Sequence, residues 1–131
     1  MKVSVVSLVL CASSAVAQTC TGVDTHLSPQ LRELYTEVIK ISLPKKPSKR
    51  ITLDGYLAQG DWAVVFSHPP ESERGAFFIK HQRDKYILVD AWGGVAGPDS
   101  MESIASWARR LSPSFPPTLA KCFANEVKNR W

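Results

Sequence analysis

The spacing of hydrophobic and polar positions changes along the chain, and each change predicts an element. Between Ser28 and Pro44, apolar residues recur three and four positions apart, which is the period of an α-helix. Ser28 is a suitable N-cap, Pro29 fits the first helical turn, and Pro44 ends the helix. The apolar stripe consists of Leu31, Leu34, Tyr35, Val38 and Ile41.

From residue 51 the period shortens to two, which indicates β-strands. The alternation covers residues 51–57, further strand-like runs rich in β-branched and aromatic residues cover 62–67, 75–80 and 86–92, and turn-forming residues separate the four runs. Short connections between consecutive strands favour antiparallel neighbours. The sequence therefore predicts a four-stranded antiparallel meander.

Two helices are predicted after the glycine-rich stretch at 93–97. The first begins with Asp99 and Glu102, spaced as in a capping box, and the second begins at about Thr118. The element order predicts an α+β domain with the two C-terminal helices packed on one face of the sheet. We expect one face of the sheet to stay open, a layout that by analogy resembles cystatin-like and nuclear-transport-factor-like folds.

The first 17 residues have the pattern of a secretory signal. Lys2 supplies a positive charge, an apolar core runs from Val3 to Cys11, and Ala15 and Ala17 form a small-x-small cleavage pattern. We predict a signal peptide over 1–17, a single domain over 18–131, and a secreted or periplasmic protein. No later stretch is long and apolar enough to predict membrane insertion.

Cleavage would leave Cys20 and Cys122 as the two cysteines in an oxidising compartment. We therefore predict that they form a disulfide. In the chain-entropy picture, a loop of this length contributes about 4 to 5 kcal/mol.

Composition supports one globular domain, because the 131 residues are 44% hydrophobic and 21% charged, with a net charge of +4. Without Lys2 the net charge is +3. The basic residues Lys45, Lys46, Lys49 and Arg50 share one proline-containing segment, which we interpret as a solvated linker. A basic excess this small does not predict a nucleic-acid partner.

Candidate catalytic and metal-ligating residues do not converge in the predicted sheet. His68 and His81 lie about 20 Å apart along the predicted ladder, although His26 could approach either of them. Ser67 and His68 are adjacent on a strand, so their side chains point to opposite faces. Nucleophile-elbow, zinc-protease and nucleotide-loop motifs are also missing from the sequence. We expect no enzymatic activity, metal or cofactor.

A polar and aromatic rim is the candidate binding site. Strand pairing brings the loop at 68–75 and the loop at 92–98 to the same edge of the sheet. The rim residues are His68, Glu71, Glu73, Arg74, Asp90, Trp92, Gly93 and Gly94. The alternative for Trp92 is a place in the core, which its size favours.

Three segments of the chain resemble a group of small exported bacterial proteins, some labelled copper-uptake-associated. The matching residues are 60–65, 75–80 and 85–89, followed by Gly93 and Gly94. The resemblance covers about a third of the chain, and it implies an exported α+β domain without implying an activity. The cysteine pair departs from the pattern, and no Met or His cluster is present to hold copper.

These observations together favour a non-enzymatic binding domain whose partner is another protein, of the inhibitor, immunity or effector type. The alternative is a small-ligand carrier or a minor hydrolase that uses the open face of the sheet. A carrier would have a pocket lined by Tyr86, Leu88 or Trp62.

Overall fold

The computed structural model describes residues 20–70, 73–93 and 97–130, so the predicted signal peptide lies outside the described residues. The elements in chain order are α1 (Pro29–Ser42), β1 (Thr52–Gln59), β2 (Trp62–His68), β3 (Gly75–Gln82), β4 (Lys85–Gly93), α2 (Met101–Arg109) and α3 (Pro117–Arg130). The strands form one antiparallel sheet in the order β1-β2-β3-β4. The predicted α+β fold with a four-stranded meander is confirmed. None of the helices in the described ranges has the length and apolar character needed to span a membrane.

Two-residue turns set the register of the outer hairpins. Gly60 and Asp61 join β1 to β2, and Gly60 adopts the left-handed backbone with φ of 59°. Arg83 and Asp84 join β3 to β4 with φ of 50° and 62°. A turn with two positive φ angles matches the twist of the strands, but it is strained when neither residue is glycine.

The face of the sheet under α2 and α3 carries the larger core. Trp62, Val64, Phe66 and Phe78 project from the sheet into this layer, where they meet Phe123 of α3. The ring of Phe78 lies 4.8 Å from that of Phe123 and 5.2 Å from that of Trp107, both edge-on. The two C-terminal helices therefore share one face, as the sequence predicted.

The other face is covered by α1, so the expectation of an open face is wrong. Tyr35 and Ile39 of α1 are buried against Val65, Phe77 and Ile79 of the sheet. The sequence does contain a signal for this second layer, because β2 is apolar on both of its faces from Trp62 to Phe66, which is typical of a strand covered on both sides. The sheet is sandwiched between helices.

Two details of the helix predictions are also corrected. Ile41, which the sequence places in the apolar stripe, is 81% exposed, and Ile39 is buried instead. Tyr35 and Ile39 lie at the centre of the buried face of α1, and Ile41 is on the other side of the helix. The N-cap of α2 is Ser100 rather than Asp99, since the Ser100 hydroxyl accepts a hydrogen bond from the Ser103 N–H at 3.1 Å.

The predicted disulfide is present and joins Cys20 to Cys122 across 102 residues of sequence. It attaches the N-terminal segment to the buried side of α3. Four residues later, Asp24 forms a two-hydrogen-bond antiparallel bridge with Ala58 at the end of β1, with both N···O distances 2.8 Å. The segment that precedes α1 is thus fixed against the outer edge of the sheet.

Candidate binding site

The described residues of the predicted rim fall at one end of the sheet, where β2 ends and β3 begins. Gly75 pairs with Ser67 on one side and with Gly93 on the other, and His68, Glu73, Arg74 and Gly93 are exposed. Glu71 and Gly94 lie outside the described residues. The rim is therefore an exposed, open arrangement of side chains in the described part of the chain.

Asp90 and Trp92 lie on the same face of β4, as predicted, but they have different surroundings. Asp90 is exposed, and its Oδ1 accepts a hydrogen bond from the Ala91 N–H at 2.7 Å. Asp90 pairs with Phe78, because a bulge at Val89 shifts by one residue the register that begins at the turn between β3 and β4. Trp92 packs edge-on against Trp107 at 5.0 Å, which places it beside the core, in agreement with the alternative interpretation.

The histidines and the serine also occupy separate environments. His81 is stacked on Tyr86 at 4.4 Å, and His68 is exposed at the opposite end of β2 and β3. Ser67 is fully buried and donates its hydroxyl hydrogen to the Thr52 carbonyl oxygen at 2.8 Å. Among residues 20–70, 73–93 and 97–130, no three His, Cys, Asp or Glu side chains are grouped as metal ligands would be.

The residues predicted to line a carrier pocket are divided between the two layers. Trp62 is buried under α2 and α3, whereas Tyr86 and Leu88 pack beside α1 on the opposite face. The sheet itself separates them, so they do not line a common cavity.

A groove that the sequence analysis did not identify lies between α1 and the chain that leads into β1. It measures about 970 Å³, and its residues are Leu27, Pro29, Arg32, Glu33, Thr36, Glu37, Lys40, Lys46, Pro47, Lys49, Arg50, Ile51, Thr52 and Leu53. The α1 residues recur at helical spacing and form one wall, and residues 46–53 form the other. We refer to this feature as the basic groove.

The two walls of the basic groove differ in charge. The α1 wall combines Arg32 and Lys40 with Glu33 and Glu37, and one pair of these, Lys40 and Glu37, is joined by an ion pair of 3.7 Å. The opposite wall carries Lys46, Lys49 and Arg50 and no acidic residue. All three of these cations are exposed, and none forms an ion pair within the described residues.

The cations of the basic segment are exposed, as a solvated linker requires. Three of its four cations nevertheless share a wall that faces α1. The sequence shows only that these cations follow directly after a helix that has mixed charges on its polar side. The position of that helix relative to the linker is a tertiary property that the local pattern does not contain.

A smaller cavity of about 280 Å³ adjoins the basic groove and shares Leu27, Arg32 and Leu53 with it. It lies along the outer edge of β1, and Asp54 and Glu126 bring negative charge to it. The surface beside β1 therefore changes from cationic at the start of the strand to anionic farther along.

Two tyrosines beneath α1 have altered acidities. Burial raises the pKa of the Tyr35 hydroxyl far above its usual range, and its hydrogen bond with Tyr56 adds to this shift. Burial is also the main cause of the raised pKa of Tyr56. Both side chains stay neutral at physiological pH, so they contribute packing and hydrogen bonding but no charge to the layer behind the groove.

No protein-family model matches the chain, and comparisons with curated proteins and with solved structures find no match. The resemblance to exported bacterial proteins accordingly stays a prediction. The geometry of the described residues is therefore the basis for assigning a function.

Proposed function

We propose that the protein is an exported, disulfide-stabilised, non-enzymatic domain that binds another protein, in the manner of an inhibitor, immunity or effector protein. The supporting observation is the wall formed by Lys46, Lys49 and Arg50, three exposed cations with no acidic partner in the described residues. Their mutual repulsion is relieved when an anionic group enters the groove. The proposed site is therefore the basic groove.

The mixed charge of the facing wall favours a protein over a nucleic acid. Glu33 and Glu37 would repel a phosphate backbone that followed the groove. A protein segment can place carboxylates toward the cationic wall and neutral or basic groups toward α1. The size of the groove is at the upper end of the range for small-molecule sites, which suits a segment of chain.

The alternative functions have less support from the described residues. A small-ligand carrier would need an open face of the sheet, but helices cover both faces. A hydrolase built on Ser67 would need that hydroxyl to be accessible, whereas it is buried and bonded to Thr52.

The proposal is tested by charge reversal in the groove. The oxidised protein and a Lys49→Glu/Arg50→Glu variant are immobilised, and the proteins retained from cognate culture medium are compared by mass spectrometry. The matched control is Arg110→Glu/Lys121→Glu, which makes the same charge change at exposed residues of the α2 and α3 layer. A third variant, Glu73→Ala/Arg74→Ala, alters the rim.

We expect one protein to be retained in stoichiometric amount by the wild type, the control and the rim variant, and to be lost from the groove variant. Equal retention by the groove variant would overturn the basic groove as the site. Loss of the retained protein from the rim variant alone would instead identify the end of the sheet as the binding site.

A further inference from the structure

β1 is an edge strand, and its outer side is only partly occupied. Among the described strands, the sheet order gives β1 a single neighbour, β2. At the end of β1, the Asp24 bridge uses both outward backbone groups of Ala58. Edge strands carry backbone groups that can pair with a further strand, and the bridge shows that this edge accepts an antiparallel one. The start of β1, at Thr52 and Leu53, instead lines the basic groove.

The backbone of Leu53 faces the groove. In a regular strand, every second residue directs its backbone N–H and C=O groups outward, as Ala58 does. The irregularity between Leu53 and Gly55 shifts this alternation by one residue, so Leu53 also faces outward. Consistent with an outward direction, the Leu53 carbonyl oxygen accepts a hydrogen bond from Arg32 Nη1 at 3.3 Å. The guanidinium thus occupies the position that a backbone N–H of an added strand would take.

The length of the groove suits a short extended segment. The α1 wall runs from Pro29 to Lys40, which corresponds to about 17 Å of helix. An extended chain covers that distance with about five residues. Residues 46–51 form the opposite wall and lead into β1 at Thr52, so the groove reaches the outer edge of the strand.

The charges determine the composition of the segment. In an extended chain, every second side chain points to the same side. Carboxylates at alternate positions would therefore face Lys46, Lys49 and Arg50 together. Arg32, once displaced from the Leu53 carbonyl, would become available to a further carboxylate.

We infer that the basic groove binds an extended acidic segment of the partner protein, which adds as a strand to the outer edge of β1 beside Leu53. The inference rests on the proposed function, because it assigns the form of the ligand to the same site. Backbone pairing would supply part of the affinity, and the cationic wall would select for acidic side chains.

The experiment is a titration of the oxidised full chain, labelled with ¹⁵N, with three blocked pentapeptides. The first alternates glutamate and valine with glutamate at both ends. The second has the same sequence with methyl groups on alternate backbone nitrogens, which prevents strand pairing. The third has lysine in place of glutamate. Chemical-shift changes give the affinities, and hydrogen exchange reports on the Leu53 amide.

We expect the acidic peptide to bind and to slow exchange at Leu53, and the methylated and lysine peptides to bind at least tenfold more weakly. The Lys49→Glu/Arg50→Glu variant should lose at least tenfold in affinity for the acidic peptide, and the Arg110→Glu/Lys121→Glu control should bind like the wild type.

Equal binding of the acidic and methylated peptides would overturn strand addition while leaving a protein-binding groove in place. Absence of binding by the acidic peptide would overturn the inferred ligand class. The proposed function is judged separately, by whether charge reversal in the groove abolishes retention of a protein in the capture experiment.

Discussion

The two faces of the sheet are stabilised to different degrees. Under α2 and α3, fully buried aromatic and aliphatic side chains from β2, β3, α2 and α3 interlock, and the disulfide joins this layer to the N-terminal segment. Under α1, one helix contributes Tyr35 and Ile39 as buried residues, while its leucines are half-buried. The basic groove is built on the side of the molecule with less buried apolar surface. Recognition elements are commonly found in such regions, because local adjustment there costs less free energy.

The largest expected effect comes from removing the disulfide. Cys20→Ser/Cys122→Ser should lower the free energy of unfolding by about 4 kcal/mol, because the unfolded chain regains the freedom of a long loop. Urea unfolding measures the change. Hydrogen exchange should show that protection is also lost near the Asp24 bridge. An unchanged free energy of unfolding in the double variant would mean that the disulfide does not constrain the unfolded chain.

Truncation of one core residue on each face compares the two layers directly. Phe78→Ala should lower the free energy of unfolding by about 4 kcal/mol and Ile39→Ala by about 3 kcal/mol, because each substitution leaves a cavity in a fully buried site. The sharper readout is hydrogen exchange: Ile39→Ala should increase exchange in α1 without affecting α2 and α3, whereas Phe78→Ala should affect the whole domain. Equal and global effects of both substitutions would contradict a difference between the faces.

Alkaline pH should weaken the α1 face. The pKa values of Tyr35 and Tyr56 are raised in the folded state, so the stabilisation is complete below pH of about 10 and is lost as pH rises further, when the unfolded state releases these protons first. The loss is about 1.4 kcal/mol per pH unit for each group that titrates only in the unfolded state.

Tyr35→Phe should remove part of this pH dependence, and urea unfolding between pH 9 and 11, chosen to bracket a tyrosine pKa of about 10, measures it. An identical slope in the variant and the wild type would exclude Tyr35 as a source of the alkaline loss. The substitution keeps the aromatic packing against Tyr56 and Tyr86, so a change in slope would report on the hydroxyl.

The smallest effect is expected at the turn between β3 and β4, which belongs to neither helix layer. Asp84→Gly should raise the free energy of unfolding by about 0.5 to 1 kcal/mol, because glycine adopts φ of 62° without strain. The matched control is Asp61→Gly in the other turn, where Asp61 does not have a positive φ and no gain is expected. A shift in the urea midpoint measures both, and equal shifts would exclude backbone strain as the cause.

The order of the elements could be predicted because it depends on local patterns. Turn residues and runs of β-branched and aromatic residues define the strands, and Ser28 with Pro29 defines the start of α1. The disulfide followed from the count of cysteines and the predicted compartment. These features need no knowledge of which surfaces meet.

The individual residues that form each layer and the site could not be predicted in the same way. Ile39 and Ile41 both suit a helix, and only the position of the sheet selects Ile39 for burial. The local sequence around Lys49 and Arg50 is typical of a solvated linker, and these residues line a groove only because α1 lies opposite them. The bulge at Val89, which shifts Asp90 relative to Phe78, likewise depends on pairing between strands. In each case the missing information is long-range.

The bridge between Cys20 and Cys122 also determines what happens when the backbone is cut. The exposed connection after α1 contains Lys45 and Lys49, which are cleavage sites for a trypsin-like protease, whereas Pro47 blocks cleavage after Lys46. A single cut there would divide the described chain into two polypeptides, one with Cys20 and α1 and the other with the sheet and Cys122. The disulfide would hold the two pieces together, so the nicked protein would migrate as one species until it is reduced.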